Sequence, residues 1–398
     1  TPCARRTTPN SAPNGRDDVS ADFAAIRREE FPSLADAIYL NSASIGPLPE
    51  RTRRRLDAYS ALRAAPHRMN DHDFFAELDQ ARALTARLLN VTAGEIALAF
   101  NTSYGLNVAA RGLPLERGDV VLASDREFPA NVYPWMRLSE RGVTLELTPV
   151  TAEGWPDEDH LVERMADPRV RVLAVSLVQF SNGYQVDLAR LSKRARETNT
   201  FLVVDAIQGL GAVPVDLQAT PVDILSCGGQ KWLLSPWGSG FVYVRKELIP
   251  AVQPVVMGWM AFEGTDDFTR LTDYDPRLRD DARRYEMISL PFQDFAGFNT
   301  SLGLLLDVGI PAIAAHIAEV QAPVLDWAAR RGITISSPVG KHGSAIVCVK
   351  VPEPAEAYKA IRAQGVVASV REGAIRLSPH LFNTVDEMVR VTRMLDKV

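Results

Sequence analysis

The sequence predicts an α/β protein, a mostly parallel sheet covered by helices on both faces, followed by a smaller α+β unit. Three observations carry this. The middle of the chain contains continuous apolar runs of strand length, "VRVLAVSLV", "FLVVDA", "DILSC" and "GFVYV", and a run that is apolar at every position marks a strand buried on both faces. Between the first two, "DLARLSKRARETN" has helical spacing, which makes a βαβ unit and hence a parallel pair. After "FAGFNTSLGLLLDVG", short strand-like runs such as "SAIVCVKV" and "AIRLS" alternate with helical stretches.

In chain order, "TPCARRTTPNSAPNGRDDVS" lacks apolar periodicity, and residues 1–20 are predicted to be a disordered tail. Residues 21–305 form the larger predicted domain, its first segment packing on the smaller one, and residues 306–398 form that smaller domain. "MNDHDFF" reads as a polar loop, because three adjacent ligand-type residues cannot face one metal ion from regular structure. "DQARALTARLLN" has the spacing of an amphipathic helix, and Thr92 with Glu95 forms a capping box that opens the next one.

Composition narrows the function. With 398 residues, 46% hydrophobic and 23% charged, the chain can bury a large core. A net charge of -5 gives no electrostatic footprint for nucleic acid. No apolar run reaches the length of a membrane span. Cys3, Cys227 and Cys348 have neither metal nor redox spacing and are odd in number, which fits a reducing cytoplasm.

In open α/β sheets ligands bind beyond the carboxyl ends of the strands, so the strand-closing residues are the candidates. "FLVVDAIQG" ends on Asp205, a carboxylate that needs a positive partner if buried. "DILSCGGQKW" ends just before Lys231. "NTSYGLN" sets Thr102 and Ser103 at the start of a helix, where free N–H groups favour phosphate, although a capping role alone explains one of them equally well. A carboxylate, a lysine and a phosphate cradle on neighbouring strand ends meet the needs of one cofactor, pyridoxal phosphate.

These stretches and "DREFPANVYPW", together with "VVDAIQGLGAVPVDL", "GGQKWLLSPWGSGFVYVRKEL" and "IRLSPHLFNT" in that order, resemble the class V aminotransferases of fold type I, a family that includes cysteine desulfurases, kynureninases and isopenicillin N epimerase-like enzymes. The resemblance spans roughly residues 35 to 395. It implies that Lys231 bonds the cofactor aldehyde and moves protons at the substrate α-carbon, and that Asp205 pairs with the pyridine nitrogen. It further implies that Gln208 reaches the ring hydroxyl, that Thr102 and Ser103 hold the phosphate, and that Arg376 grips the substrate carboxylate, with Arg371 a second candidate.

Several positions depart from the desulfurase pattern. Phe128 stands where those enzymes carry a stacking histidine, and it cannot move a proton. Gln230 replaces the histidine before the lysine, and Gly228 replaces a nearby serine. The threonine that a second subunit lends to the phosphate site is matched by Ser289 in "RYEMISLPFQ", which keeps the hydroxyl but lacks the family's glycine, so a homodimeric site and an ordinary loop serine both stay open. "IRAQGVVASVREG" holds no cysteine for a persulfide. His380 beside Arg376 either contacts substrate or packs. The expectation is a cytoplasmic, homodimeric pyridoxal phosphate enzyme acting on an amino acid by C–S lyase-type elimination or by transamination. Epimerisation stays open, and a non-catalytic cofactor-binding interaction protein is the reading from another class.

Overall fold

A computed structural model of the protein describes residues 21–397. The predicted tail, with Cys3, lies outside the described residues. The first strand, β1 (Ile38–Tyr39), pairs with a segment far along the chain. The central sheet is built from β2 (Ile96–Ala99), β3 (Val120–Ser124), β4 (Thr144–Thr148), β5 (Val170–Ser176), β6 (Phe201–Asp205), β7 (Ile224–Gly228) and β8 (Gly240–Val244). Their spatial order is β2-β8-β7-β6-β5-β3-β4. From β4 to β7 every pairing is parallel, while β8 runs antiparallel to both β7 and β2. The reason is length. The segment from Gly229 to Ser239 holds turns and no helix, and a parallel return needs a crossover of a dozen residues or more, usually a helix.

The predicted crossover helix is present at Leu188–Glu197, where Asp187 caps it by accepting a hydrogen bond from the Arg190 amide. Successive strand residues feed two cores. Leu173, Val175, Leu202 and Val204 pack on one face, and Val172, Ala174 and Val203 on the other. Burying each such Val or Leu stabilises the fold by about 1.5–3 kcal/mol, and this double burial is why the runs lack alternation.

The second sheet holds β9 (Thr334–Ile335), β10 (Val347–Lys350), β12 (Ser369–Arg371) and β13 (Ala374–Leu377), antiparallel in the order β12-β13-β10-β9. Between them in sequence, β11 (Val366–Val367) pairs in parallel with β1, Ile38 against Val366 and Tyr39 against Val367. Ile38 and Leu40 thereby join Trp327, Val349, Ile375 and Met388 in a third core.

Two local expectations are corrected. "MNDHDFF" is not a loop but opens the helix Asp71–Leu89, because Asn70 caps it, its Oδ1 accepting from the Asp73 amide at 3.0 Å. Among the described residues no group of three His, Cys, Asp or Glu side chains is placed to hold a metal ion. The capping box of Thr92 and Glu95 has both its hydrogen bonds, but it opens only the 3-10 turn Ala93–Glu95, since β2 begins at once. Among the described residues no single helix is long and apolar enough to cross a membrane.

Candidate functional site

Because β5, β6 and β7 run parallel, their carboxyl ends share one edge, with Ser176 in register with Asp205 and Asp205 with Ser226. Asp205 is buried, and the one hydrogen bond its carboxylate accepts among the described residues comes from the Ile207 amide at 3.0 Å. Burial pushes its carboxyl up to about 6. The Ile207 amide opposes the rise, Glu127 adds to it, and Lys231 opposes it.

Lys231 follows β7 in a turn whose next residues, Trp232, Leu233 and Leu234, are buried anchors. The backbone is clamped on both sides of it. The Gly46 amide donates to the Gln230 carbonyl at 2.8 Å. Only glycine allows this approach, for a Cβ there would lie 2.1 Å from the Lys231 carbonyl oxygen. Beyond the lysine, His380 Nε2 meets the Trp232 carbonyl at 2.9 Å, while His380 Nδ1 accepts from the Leu381 amide at 2.7 Å. Those partners put the ring proton on Nε2. Burial lowers the His380 pKa to about 4, so the ring is neutral and structural, packed 5.6 Å from the Trp232 ring.

The Lys231 ammonium donates to no group among the described residues and stands 5.8 Å from the centre of the Phe128 ring. Burial lowers its pKa to about 8, against the pull of Asp205 and with help from the like charges of Arg376 and Arg371. At pH 7 roughly a tenth of the molecules then carry a neutral amine, far more than an exposed lysine offers.

Thr102 opens the helix Thr102–Gly112, capped by Asn101, whose Oδ1 accepts from the Tyr104 amide. Thr102 Oγ1 accepts from the Gly228 amide at 2.9 Å and keeps its own proton to donate. Ser103 is exposed in the first turn. Gln208 is buried with both ends engaged. Its Oε1 accepts from Trp232 Nε1 and its Nε2 donates to the Ala43 carbonyl, each at 3.0 Å, so one amide N–H is left. Gln230 is partly buried next to Lys231.

Arg376 on β13 is 2% exposed. Its guanidinium donates to the Phe180 carbonyl at 2.7 Å, Ser44 Oγ at 2.9 Å and Ser369 Oγ at 3.2 Å, and no carboxylate pairs with it among the described residues. Burial lowers its pKa to about 10, and Arg371 pushes the same way. Arg371 itself is exposed and donates to its neighbour's carbonyl, Val370. Ser289 is exposed, and no hydrogen bond links it to any of these residues.

Phe128 packs edge-on against Phe180, with ring centres 5.2 Å apart. Its neighbour Glu127, which the sequence reasoning passed over, is buried and accepts from the Ser176 amide and hydroxyl and from the Gln179 amide. Burial raises its pKa. These bonds fasten the Phe128 segment to the end of β5. Of the cysteines, Cys227 is buried with its thiol pushed up, and Cys348 is buried with its thiol pushed up to about 11, so neither is a ready thiolate.

Pyridoxal phosphate fits this arrangement. Asp205, Lys231 and Arg376 converge without pairing to one another or to any other charged side chain among the described residues, a costly state for buried ionisable groups. A group that offers a protonated ring nitrogen to Asp205 and an aldehyde to Lys231, beside a carboxylate for Arg376, supplies each missing partner.

The family model for class-V aminotransferases matches residues 38–391. An uncharacterised aminotransferase of Bacillus subtilis, YcbU, is 27% identical over 91% of this chain and 94% of its own length. Among solved structures, a cysteine desulfurase from Thermococcus onnurineus superposes with a TM-score of 0.84 at 20% identity, covering 94% of this chain and 97% of that one. The cystine C-S lyase C-DES superposes with a TM-score of 0.83 at 21% identity, covering 92% and 99%.

Proposed function

The chain belongs to the class-V aminotransferase family and is a pyridoxal-phosphate-dependent enzyme, and from that premise we propose that it acts at the α-carbon of an amino acid, by C–S lyase-type elimination or by amino transfer. The observation that carries this reading is Arg376, a buried guanidinium without a carboxylate, beside a lysine whose pKa is lowered to about 8. A protein that only stored the cofactor would have no use for a carboxylate ligand there.

When bound, the cofactor supplies an electron sink to the substrate α-carbon. The chain's own residues do the rest. Arg376 holds the α-carboxylate through parallel hydrogen bonds, which fixes the orientation of the α-carbon. Lys231, already partly neutral, takes the α-proton and returns a proton later. Asp205 lies at the end of β6 as the anionic partner of the ring nitrogen, its charge stabilised by the cation it meets. Thr102, with its free hydroxyl proton, and Ser103 in the first helical turn hold the phosphate, with Gln230 beside them. The remaining N–H of Gln208 serves the ring hydroxyl. Phe128 walls the site through a hydrophobic contact and carries no proton.

Ser289 is exposed and makes no hydrogen bond to the site residues of its own chain, so we assign its role at the phosphate to a second copy and take the working unit to be a homodimer. Persulfide formation on the protein has no support at Cys227 or Cys348, since both thiols are buried and held protonated.

The test is to incubate the cofactor-loaded enzyme with a panel of amino acids and keto acids. Products are identified by mass spectrometry, with separate detection of sulfide, pyruvate, ammonia and product chirality. Elimination or amino transfer is the expected result. An enzyme whose visible absorption no amino acid alters, and which forms no product, would sink the reading.

A further inference from the structure

On the far side of Phe180 from the lysine turn a cavity of about 380 Å³ opens, walled by Phe180, Asn182 and Ser336 and by three cations, Arg126, Lys350 and Arg371. Phe180 joins it to the site. The Phe180 carbonyl is a partner of Arg376, and the Phe180 ring packs on Phe128, over which the Lys231 ammonium stands.

Strand register aims two of these cations at the same place. Ser369, Arg376 and Cys348 lie abreast on β12, β13 and β10, and one step along Arg371 lies opposite Ala374. Residues two apart on a strand share a face at a spacing of about 7 Å. Arg371 and Lys350, two residues on from Ser369 and Cys348, therefore flank the small side chain of Ala374 about 7 Å from the row of Arg376. Arg126 comes from the opposite wall. It has φ 66, a left-handed conformation that costs a residue with a side chain about 1–2 kcal/mol. Its guanidinium lies over Gly154, where a Cβ would come within 2.9 Å of it.

None of the three cations is ion-paired among the described residues. Elsewhere on the molecule Arg53, Arg164, Arg169 and Arg277 each grip a neighbouring carboxylate. Of the acids lining the cavity, Glu127 spends its oxygens on Ser176 and Gln179, and the Glu153 carboxylate is held by the Thr151 hydroxyl. Glu372 sits in the turn between β12 and β13 and pairs with no cation.

We propose that this cavity receives a second, distal anionic group of the substrate, so that the enzyme prefers α-amino acids carrying an acid a few carbons beyond the α-carbon. This rests on the reading of Arg376 as the α-carboxylate ligand. The α-carboxylate on Arg376 and the distal acid among Arg371, Lys350 and Arg126 would span the two rows of the sheet.

The experiment titrates the cofactor-loaded enzyme with size-matched pairs, aspartate against asparagine and glutamate against glutamine, with 2-aminoadipate and alanine alongside. The change in visible absorption gives an apparent Kd. The acid should bind about tenfold more tightly than its amide, as a charge-assisted contact allows, and the advantage should shrink in high salt. In Lys350→Ala, in Arg126→Ala and in the double variant that combines them the advantage should fall several-fold while alanine binds as before, which also shows that the variants are folded. Equal affinity for acid and amide, or an acid preference that survives in the double variant, overturns the proposal. A titration in which alanine and the amides also leave the absorption unchanged counts instead against the preceding assignment of function.

Discussion

Replacing Arg376 tests the substrate grip. The guanidinium is buried without a counter-ion among the described residues, and the fall of its pKa to about 10 corresponds to about 3 kcal/mol of unfavourable charge burial in the ligand-free protein. A substrate carboxylate that docks there relieves a penalty of that size, so Arg376→Ala should lower kcat/KM for an amino acid about a hundredfold. Arg376→Lys keeps a charge but loses the planar fork, so it should fall between the two and also loosen reaction specificity, because the α-carbon is no longer held in one orientation. Neither change should alter the visible spectrum of the cofactor-loaded enzyme without substrate. The assay is steady-state kinetics with the best amino acid from the panel, compared with the amine lacking its carboxylate, whose turnover should be insensitive to both substitutions. If the parent and both variants process the amino acid alike, the α-carboxylate is bound elsewhere, and Arg371 is the next residue to replace.

Borohydride treatment of the holoenzyme should fix the cofactor covalently, and peptide mapping should find it on Lys231; an adduct on another lysine would displace the central residue. Asp205→Asn should retain cofactor yet slow exchange of the substrate α-proton by about two to four orders of magnitude, since a preorganised charge partner is lost, and normal exchange would exclude the pairing with the ring nitrogen. The cofactor-free protein offers a further check. Because the Asp205 pKa is raised to about 6, its favourable contribution to stability is complete below about pH 4 and is lost as pH rises through 6; Asp205→Asn should therefore melt higher than the parent at pH 8 and no higher at pH 4. Replacing all three cysteines with serine should leave any sulfide release from cysteine intact, and its disappearance with fold and spectrum preserved would restore the desulfurase reading.

The central strands were legible because burial on both faces writes itself into unbroken apolar runs, as at Val170–Ser176 and Phe201–Asp205. Lys231 was legible for a related reason, as a lysine between two glycines and buried aromatic and aliphatic anchors. Other features left little trace. β4 mixes exposed, partly buried and buried positions without a period, so it reads as neither a buried nor a cleanly alternating strand. The antiparallel direction of β8 depends on the missing crossover helix, not on "GFVYV" itself. Glu127 resembles any acid before a turn, and only the fold reveals that Ser176 and Gln179 surround it. The partners of Arg376 are remote in sequence, Ser44 332 residues before it and the Phe180 carbonyl 196 before it, and no local pattern announces contacts at that range.

That remoteness also sets an order of events as the chain is made. When Lys231 leaves the ribosome, the strands that carry it and Asp205 are already synthesised, but β11, the row of Arg376 and the His380 contact to the Trp232 carbonyl do not yet exist. Bringing together contacts of such long loop length is slow. A nascent chain therefore acquires most of its cofactor pocket before it acquires the grip on substrate. In that interval the lysine turn lacks one of its two clamps, and β1 has no partner strand. Translation stalled between residues 245 and 365 should yield a protein that captures cofactor weakly and binds no amino acid, with amino-acid binding appearing only once β11 and β13 have joined the fold.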